Sequence, residues 1–227
     1  SQLMTVMVGG FATIAGSVMA AYVVMLGGDD PATRAEIAKH FMIASVMSAP
    51  AGLVMAKIML PETAAPPDES IAGLRGMPRT TANVMDAAAE GATDGLKLAL
   101  NVAAMLVAFV SLIALLNWPL AALSELNSDW LPIASWRAEL GLPVLSFQNI
   151  LGTVLQPLAW LMGAGADAHK VGAVMGQAVV ATEFGAYLDL ASMIKSGEIS
   201  SRASTIAIYA LCGFANFGSL GIMIGGM

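Results

Sequence analysis

The sequence predicts an all-α polytopic membrane protein, and three observations predict it. The 227 residues are 57% hydrophobic and only 11% charged, where a soluble domain carries about 25% charge, and the mean hydropathy is +0.76. Six apolar stretches run along the chain, each close to or above the ~20 residues that a helix needs to cross a bilayer. Glycine is abundant, at 23 residues, which suits helices that pack closely in lipid or break there. The same composition excludes a soluble domain. A disulfide scaffold is excluded because Cys212 is the sole cysteine, and nucleic-acid binding is disfavoured by a net charge of −6 with no basic block.

The first stretch, residues 3–26, carries no charge. Thr5, Thr13 and Ser17 are its polar members, and Gly9, Gly10 and Gly16 interrupt it. The chain enters this run directly from Ser1, with no basic region and no small-residue cleavage site, so the run does not read as a signal peptide. Met227 ends the sequence inside another apolar run, and the chain therefore reads as a piece of a longer protein. The second stretch, 41–60, ends near Lys57, whose stem can snorkel to the interface.

The main polar connection spans 61–95. Its first part, 61–69, is a proline-rich linker. In its second part Asn83, Asp86, Glu90, Asp94, Lys97 and Asn101 fall three or four apart, on one helical face. This predicts an amphipathic helix on the membrane surface that feeds the third stretch. With no His or Cys beside them, the three acids make a solvated face rather than a metal site. Lys57, Arg75, Arg79 and Lys97 mark this connection while only Arg137 follows the third stretch, which places 61–95 in the cytoplasm by the positive-inside rule.

The third stretch, 98–123, is the smoothest, and Trp118 and Pro119 mark its exit. The fourth, 140–166, is broken by Pro143 and Pro157 and carries Gln148, Asn149 and Gln156, which predicts an interfacial helix plus a short entering segment. The fifth, 171–194, contains Glu183 and Asp189. The sixth, 203–227, contains Asn216 and Ser219 among glycines.

Glu183 carries the most information. A carboxylate in the middle of an apolar segment costs about 2.5–3.5 kcal/mol on insertion scales. Two readings are open: it sits at an aqueous interface, or it faces a polar cavity where it accepts hydrogen bonds from a hydroxyl-bearing ligand or binds a cation. Around Asn216, the run Cys212-Gly213-Phe214-Ala215-Asn216-Phe217-Gly218-Ser219 disfavours a regular helix, since each glycine costs about 1 kcal/mol relative to alanine. Either the helix breaks and its freed backbone groups face protein, water, an ion or a substrate, or the glycines pack closely with Asn216 as interhelical glue. A repeat tips the balance. Gly10-Phe11-Ala12-Thr13, followed by Gly16 and Ser17, echoes Gly213-Phe214-Ala215-Asn216, followed by Gly218 and Ser219. Paired, glycine-broken membrane helices point to a secondary-transporter site near the midplane. Freed carbonyls around Thr13 suit a small hard cation such as Na⁺.

The remaining polar residues have plainer readings. Cys212 reads as a small core hydrophobe. His40 and His169 sit at segment ends beside lysines, where surface placement is the default, and Asp189 marks a segment nearing water. No nucleophile–base pair, Cys/His metal spacing or phosphate-binding glycine loop is present, so the reading is not an enzyme.

Several blocks together resemble the C-terminal half of the concentrative nucleoside transporters. These are Val8 through Ser17, Ala49-Pro50-Ala51-Gly52-Leu53, Pro61-Glu62-Thr63, Asn83-Val84-Met85-Asp86, Leu98 through Val102, Thr182-Glu183-Phe184-Gly185-Ala186-Tyr187 and Ala210 through Asn216. The resemblance implies a homotrimer whose protomers combine scaffold helices with a moving transport domain, the latter holding re-entrant hairpins and partly unwound helices arranged as an inverted repeat. It divides the chain into residues 1–60, a first unwound helix and the helix after it; 61–97, the linker and interfacial helix; 98–123, a long scaffold helix at the trimer contact; and 124–227. That last part would hold an interfacial helix, a re-entrant hairpin over 171–194 and a second unwound helix. The opening helices, the first hairpin and the last helix lie outside the sequence on this reading.

By resemblance, Glu183, Asn216 and Ser219 hydrogen-bond the ribose hydroxyls of a nucleoside, and Val18 is an apolar contact to the base. Thr13, through its hydroxyl, and Ile14, through its carbonyl, ligate a coupling sodium ion, with no organic cofactor. The implied activity is sodium-driven nucleoside uptake across the cytoplasmic membrane by elevator-type movement. The rivals are proton coupling on the same fold and a non-transporting membrane scaffold subunit. Two departures from the family pattern stand out: Thr182 where members commonly have Asn, and Gly218 where many have Ser.

Overall fold

The computed structural model describes residues 2–61, 63, 81–128, 131–141 and 143–219. The linker read over 61–69 and the end of the sixth stretch therefore lie largely outside the described residues.

The first apolar stretch is two helices, α1 (Gln2–Ala12) and α2 (Gly16–Gly27), separated by three non-helical residues, Thr13 to Ala15. Glycines on both sides weaken the helix. Within the break the Thr13 hydroxyl turns back to the Gly9 carbonyl at 3.1 Å, and Ala15 is extended. A tight turn through Gly28, at φ +56°, leads to α3 (Pro31–Met59). The Arg34 side chain ties this turn, donating to the Gly28 carbonyl at 2.5 Å.

The second element thus begins ten residues before the apolar run that reveals it. Asp30 is its N-cap, accepting from the backbone N–H of Ala32 and Thr33, and Pro31 sits at the first helical position. Hydropathy misses the opening turns because they carry Arg34, Glu36 and Lys39.

The amphipathic segment and the third stretch form one rod, α4 (Val84–Ser124), of 41 residues. At 1.5 Å per residue it is about 60 Å long, twice the hydrocarbon thickness of a bilayer. Asn83 caps it by accepting from the Asp86 N–H at 2.9 Å. The helix passes Trp118 and Pro119 and ends at Ser124, so its exit lies beyond the aromatic–proline pair that the sequence marks. A two-residue ribbon follows, β1 (Asn127–Ser128) antiparallel to β2 (Leu131–Pro132), and then the short α5 (Ile133–Glu139).

The fourth stretch departs most from expectation. Pro143 precedes a helix, α6 (Phe147–Ala159), but Pro157 lies inside it, and the chain continues through a π turn, Trp160–Ala164, and a 3₁₀ turn, Gly165–Asp167. α6 packs antiparallel on α7 (Ala168–Val180) over glycines; a Cβ on Gly172 would lie 2.6 Å from the Gly152 carbonyl oxygen. Side chains this small let the two backbones touch.

The fifth stretch is a helical hairpin, α7 and α8 (Glu183–Ser196), turning at Ala181 and Thr182. Gly197, at φ +69°, closes α8 in the left-handed conformation, and the N–H groups of Gly197 and Glu198 cap the last carbonyls. α9 (Ser201–Ala210) follows, and residues 211–216 are again non-helical before a short turn at 217–219.

The core lies among α2, α3, α7, α8 and α9. Its largest members are Tyr22, Phe41, Tyr187, Leu190 and Leu211. Tyr22 packs its ring 4.2 Å from that of Tyr187 and 6.3 Å from that of Phe41, centroid to centroid. α4 stands outside this core and presents Leu100, Val107, Leu115 and Trp118 outward. Among the described residues, three segments are long and apolar enough to cross a membrane: Met4–Gly27, Pro31–Met59 and Val84–Ser124. The chain is an all-α polytopic membrane protein in architecture.

Candidate functional site

Three breaks in regular structure meet at one place. The first is the interruption between α1 and α2, the second is the loop after α9, and the third is the tip of the α7–α8 hairpin. The two repeated motifs cross directly: the Phe214 N–H donates to the Phe11 carbonyl oxygen at 2.7 Å. Gly213 permits the approach, since a Cβ there would lie 3.1 Å from the same oxygen. A cavity of about 150 Å³ opens beside the crossing, lined by Phe11, Val179, Ala215, Asn216 and Phe217.

Glu183 is the first residue of α8, directly after the hairpin tip. Its side chain points inward and only 6% of the residue is exposed. The tip is built to hold it there. Thr182 is the N-cap of α8, its hydroxyl accepting from the Gly185 N–H at 3.2 Å, and the start of a helix favours a negative side chain.

Both carboxylate oxygens have partners. Asn216 Nδ2 donates to Oε2 at 2.9 Å, and the Tyr22 hydroxyl donates to Oε1 at 3.4 Å. Asn216 is in turn fixed by Ser219, whose backbone N–H and hydroxyl both donate to Asn216 Oδ1, at 2.7 and 3.0 Å. Asn216 and Ser219 are both buried.

Counting valences shows what this cluster can still bind. A carboxylate accepts about four hydrogen bonds and an amide group donates two and accepts two. Glu183 has two side-chain donors, so acceptor capacity remains. The Asn216 carbonyl is filled, but one of its N–H donors remains. The Ser219 hydroxyl spends its hydrogen on Asn216 and keeps its lone pairs. Such a set suits a neutral ligand that presents neighbouring hydroxyl groups, donating to Glu183 and accepting from Asn216.

The structure brings Glu183, Asn216 and Ser219 into one connected cluster. It does not join Thr13, Ile14 and Val18 to that cluster by side-chain hydrogen bonds. Thr13 and Ile14 lie in the α1–α2 break, and Ile14 and Val18 pack as half-buried residues against the core. The Thr13 hydroxyl spends its hydrogen on Gly9, so lone pairs are what it can offer, together with the carbonyls that the break frees. Oxygen donors of this kind fit a hard monovalent or divalent cation.

Sequence reasoning missed Tyr22 and the backbone crossing. A tyrosine inside a long apolar run was a usable signal, because a buried phenol seeks a partner for its hydroxyl. His40 is also corrected. Surface placement was expected, yet it is half-buried, with Nδ1 3.2 Å from the Tyr209 hydroxyl and its ring edge-on to that of Tyr209. Its position in α3 faces α9, and a polar partner there stabilises the half-buried imidazole. His169 is exposed, as expected.

Comparison with known proteins gives these features a context. The family model described as "Na+ dependent nucleoside transporter C-terminus" matches residues 40–227. An uncharacterized transporter of Haemophilus influenzae is 40% identical over 232 aligned residues, covering 100% of this chain and 50% of its own length. Mouse sodium/nucleoside cotransporter 1 is 37% identical, covering 100% of this chain and 34% of its own. Among solved structures, a doubly substituted CNTnw in an outward-facing state is 35% identical with a TM-score of 0.73, and CNTnw in an inward-facing substrate-bound state is 36% identical with a TM-score of 0.64. Each covers 99% of this chain and 48% of the CNTnw chain. The chain thus spans about half the length of the relatives it matches first. A helical membrane architecture with broken helices, a buried acid at a hairpin tip and matches along its whole length place this chain in the family of concentrative, Na⁺-dependent nucleoside transporters, which are carriers and not enzymes.

Proposed function

We propose that the full-length protein is a sodium-coupled nucleoside symporter of the cytoplasmic membrane, acting as a homotrimer in which the hairpin-bearing body moves past α4 in an elevator-like displacement. The observation that carries this reading is Glu183, buried at a hairpin tip and bonded to Asn216 at 2.9 Å, with acceptor capacity to spare. A ribose offers the neighbouring hydroxyls that such a cluster is suited to recognise. Glu183, Asn216 and Ser219 are the sugar ligands, and Val18 is the apolar contact to the base. Thr13, by its hydroxyl, and Ile14, by its carbonyl, are sodium ligands in the α1–α2 break. The similarity to mouse sodium/nucleoside cotransporter 1 supports the substrate class and the ion.

The two ligands are linked through structure. The α1–α2 break carries the ion ligands, and its neighbour Phe11 holds Phe214 two residues before Asn216. Sodium that orders the break therefore favours the conformation in which Asn216 meets the sugar. By linkage, sodium raises nucleoside affinity and nucleoside raises sodium affinity by the same factor.

Uridine and adenosine uptake by the full-length protein in proteoliposomes tests the reading. Uptake is expected in sodium, with a loss of at least about tenfold in Glu183→Gln, since hydrogen bonds to a charged group are worth about 1.5–3 kcal/mol each. Unchanged uptake by the Glu183→Gln variant rejects the site. Undiminished uptake with sodium replaced by choline at fixed pH rejects sodium as the coupling ion in favour of a proton.

A further inference from the structure

Tyr22 is a buried polar group to which the proposed sugar site assigns no role, and three observations about it converge. It is 0% exposed, deep inside an apolar helix. Its hydroxyl lies 3.4 Å from Glu183 Oε1, across 161 residues of sequence. Its ring is held on several sides, with centroids at 4.2 Å to Tyr187, 6.2 Å to Phe184 and 6.3 Å to Phe41. A phenol clamped in this way has little freedom to turn its hydroxyl elsewhere.

We propose that Tyr22 is a positioning residue for Glu183: its hydroxyl holds one carboxylate oxygen so that the remaining acceptor positions are presented to the two neighbouring hydroxyls of the sugar. This rests on the reading of Glu183 as the sugar-binding carboxylate. Without the tether, Oε1 loses its side-chain donor and the plane of the carboxylate is held less firmly. A single donor fixes an oxygen; two donors on opposite oxygens fix the plane of the group. The plane matters because vicinal hydroxyls meet a carboxylate in a bidentate arrangement, whereas a single hydroxyl does not need one. The tether therefore contributes more to a ribonucleoside than to a ligand lacking one of the two hydroxyls.

Tyr22 also lies on α2, which begins directly after the Thr13–Ala15 break. A shift of α2 is felt at Glu183 through one rigid aromatic side chain, while the Phe11–Phe214 bond reaches Asn216 from the other end of the same break. The two donors to the carboxylate are thus both hung from the interrupted first helix.

The test is Tyr22→Phe in the full-length protein, which keeps the clamped ring and removes only the hydroxyl. Equilibrium binding of uridine, 2′-deoxyuridine and 3′-deoxyuridine is measured beside the thermal midpoint of the unliganded protein, for wild type, Tyr22→Phe, Glu183→Gln and the double variant. Uridine affinity is expected to fall about tenfold in Tyr22→Phe, with a smaller fall for the deoxynucleosides, so that discrimination between them and uridine narrows. The double variant is expected to bind no more weakly than Glu183→Gln alone, because the tether acts only through the carboxylate. Wild-type discrimination in Tyr22→Phe, whatever its thermal midpoint, overturns the positioning role while Glu183→Gln still loses affinity. Should Glu183→Gln itself bind uridine like wild type, the sugar-site reading fails, and the positioning role falls with it.

Discussion

Thr182 shows how a single departure from a family pattern can be absorbed. Its hydroxyl caps α8 through the Gly185 N–H, a task that asparagine performs equally well. Thr182→Asn is therefore expected to leave the thermal midpoint of the full-length protein nearly unchanged, and Thr182→Ala to destabilise it by about 1 kcal/mol, read by thermal unfolding in detergent. Gly218 has a steric reason: a Cβ there would lie 3.1 Å from Asn216 Oδ1 and 3.4 Å from the Leu106 side chain, crowding the carbonyl that Ser219 fills. At this scale the sequence was legible where chemistry was costly. Glu183, Asn216 and Ser219 stood out because polar groups in an apolar run need partners. Tyr22 did not, because tyrosine is common at the ends of membrane helices and its burial depends on Phe41 and Tyr187, which are distant in sequence. The Thr13 hydroxyl was assigned to an ion, and its hydrogen bond to Gly9 was not visible because a helical i−4 contact leaves no signature in residue type.

Among elements, the α6–α7 pair carries the clearest packing argument. Gly152, Gly172 and Gly176 face one another with no room for a side chain, so Gly172→Val is expected to destabilise by about 1–3 kcal/mol and to lower nucleoside binding by displacing the hairpin tip that α7 leads to. Thermal unfolding with and without uridine separates the two effects. Prolines mislead at this scale. Pro157 reads as a break, yet the backbone stays helical past it to Ala159, and the helical path breaks instead at Gly163, with φ +97°. The start of α3 was equally hidden, since charged opening turns suppress the hydropathy signal although Asp30-Pro31 spells out a helix N-terminus. The interrupted first and last helices were legible from their glycines, and the two helices of the hairpin became so only through resemblance, because an apolar run of that length is also consistent with one continuous span.

For the molecule as a whole, the apolar core joins the hairpin to α2, α3 and α9, while α4 stands apart. A polar clasp closes the far end of the hairpin from its tip. Asp167 accepts from the Ser200 N–H at 3.0 Å and pairs with Lys170 at 3.1 Å, and Lys170 also donates to the Glu198 carbonyl. The Ser200 hydrogen bonds, and then Lys170, pull the Asp167 carboxyl down from 3.8 to about 2. A carboxyl depressed by folding stabilises above its unfolded value and loses that contribution as pH falls through its folded one. Asp167→Asn is therefore expected to lower the thermal midpoint at pH 7, with the difference from wild type shrinking below about pH 4 and vanishing near pH 2. Composition made this global division between lipid and core readable, but the clasp depends on residues 33 apart whose meeting only the hairpin geometry creates. The junction at Phe11 and Phe214 is of another kind, because it is spun from main chain alone. Ordinary exchanges of either ring leave that knot tied, so selection can restyle the aromatic walls of the neighbouring cavity without loosening the joint between the two interrupted segments.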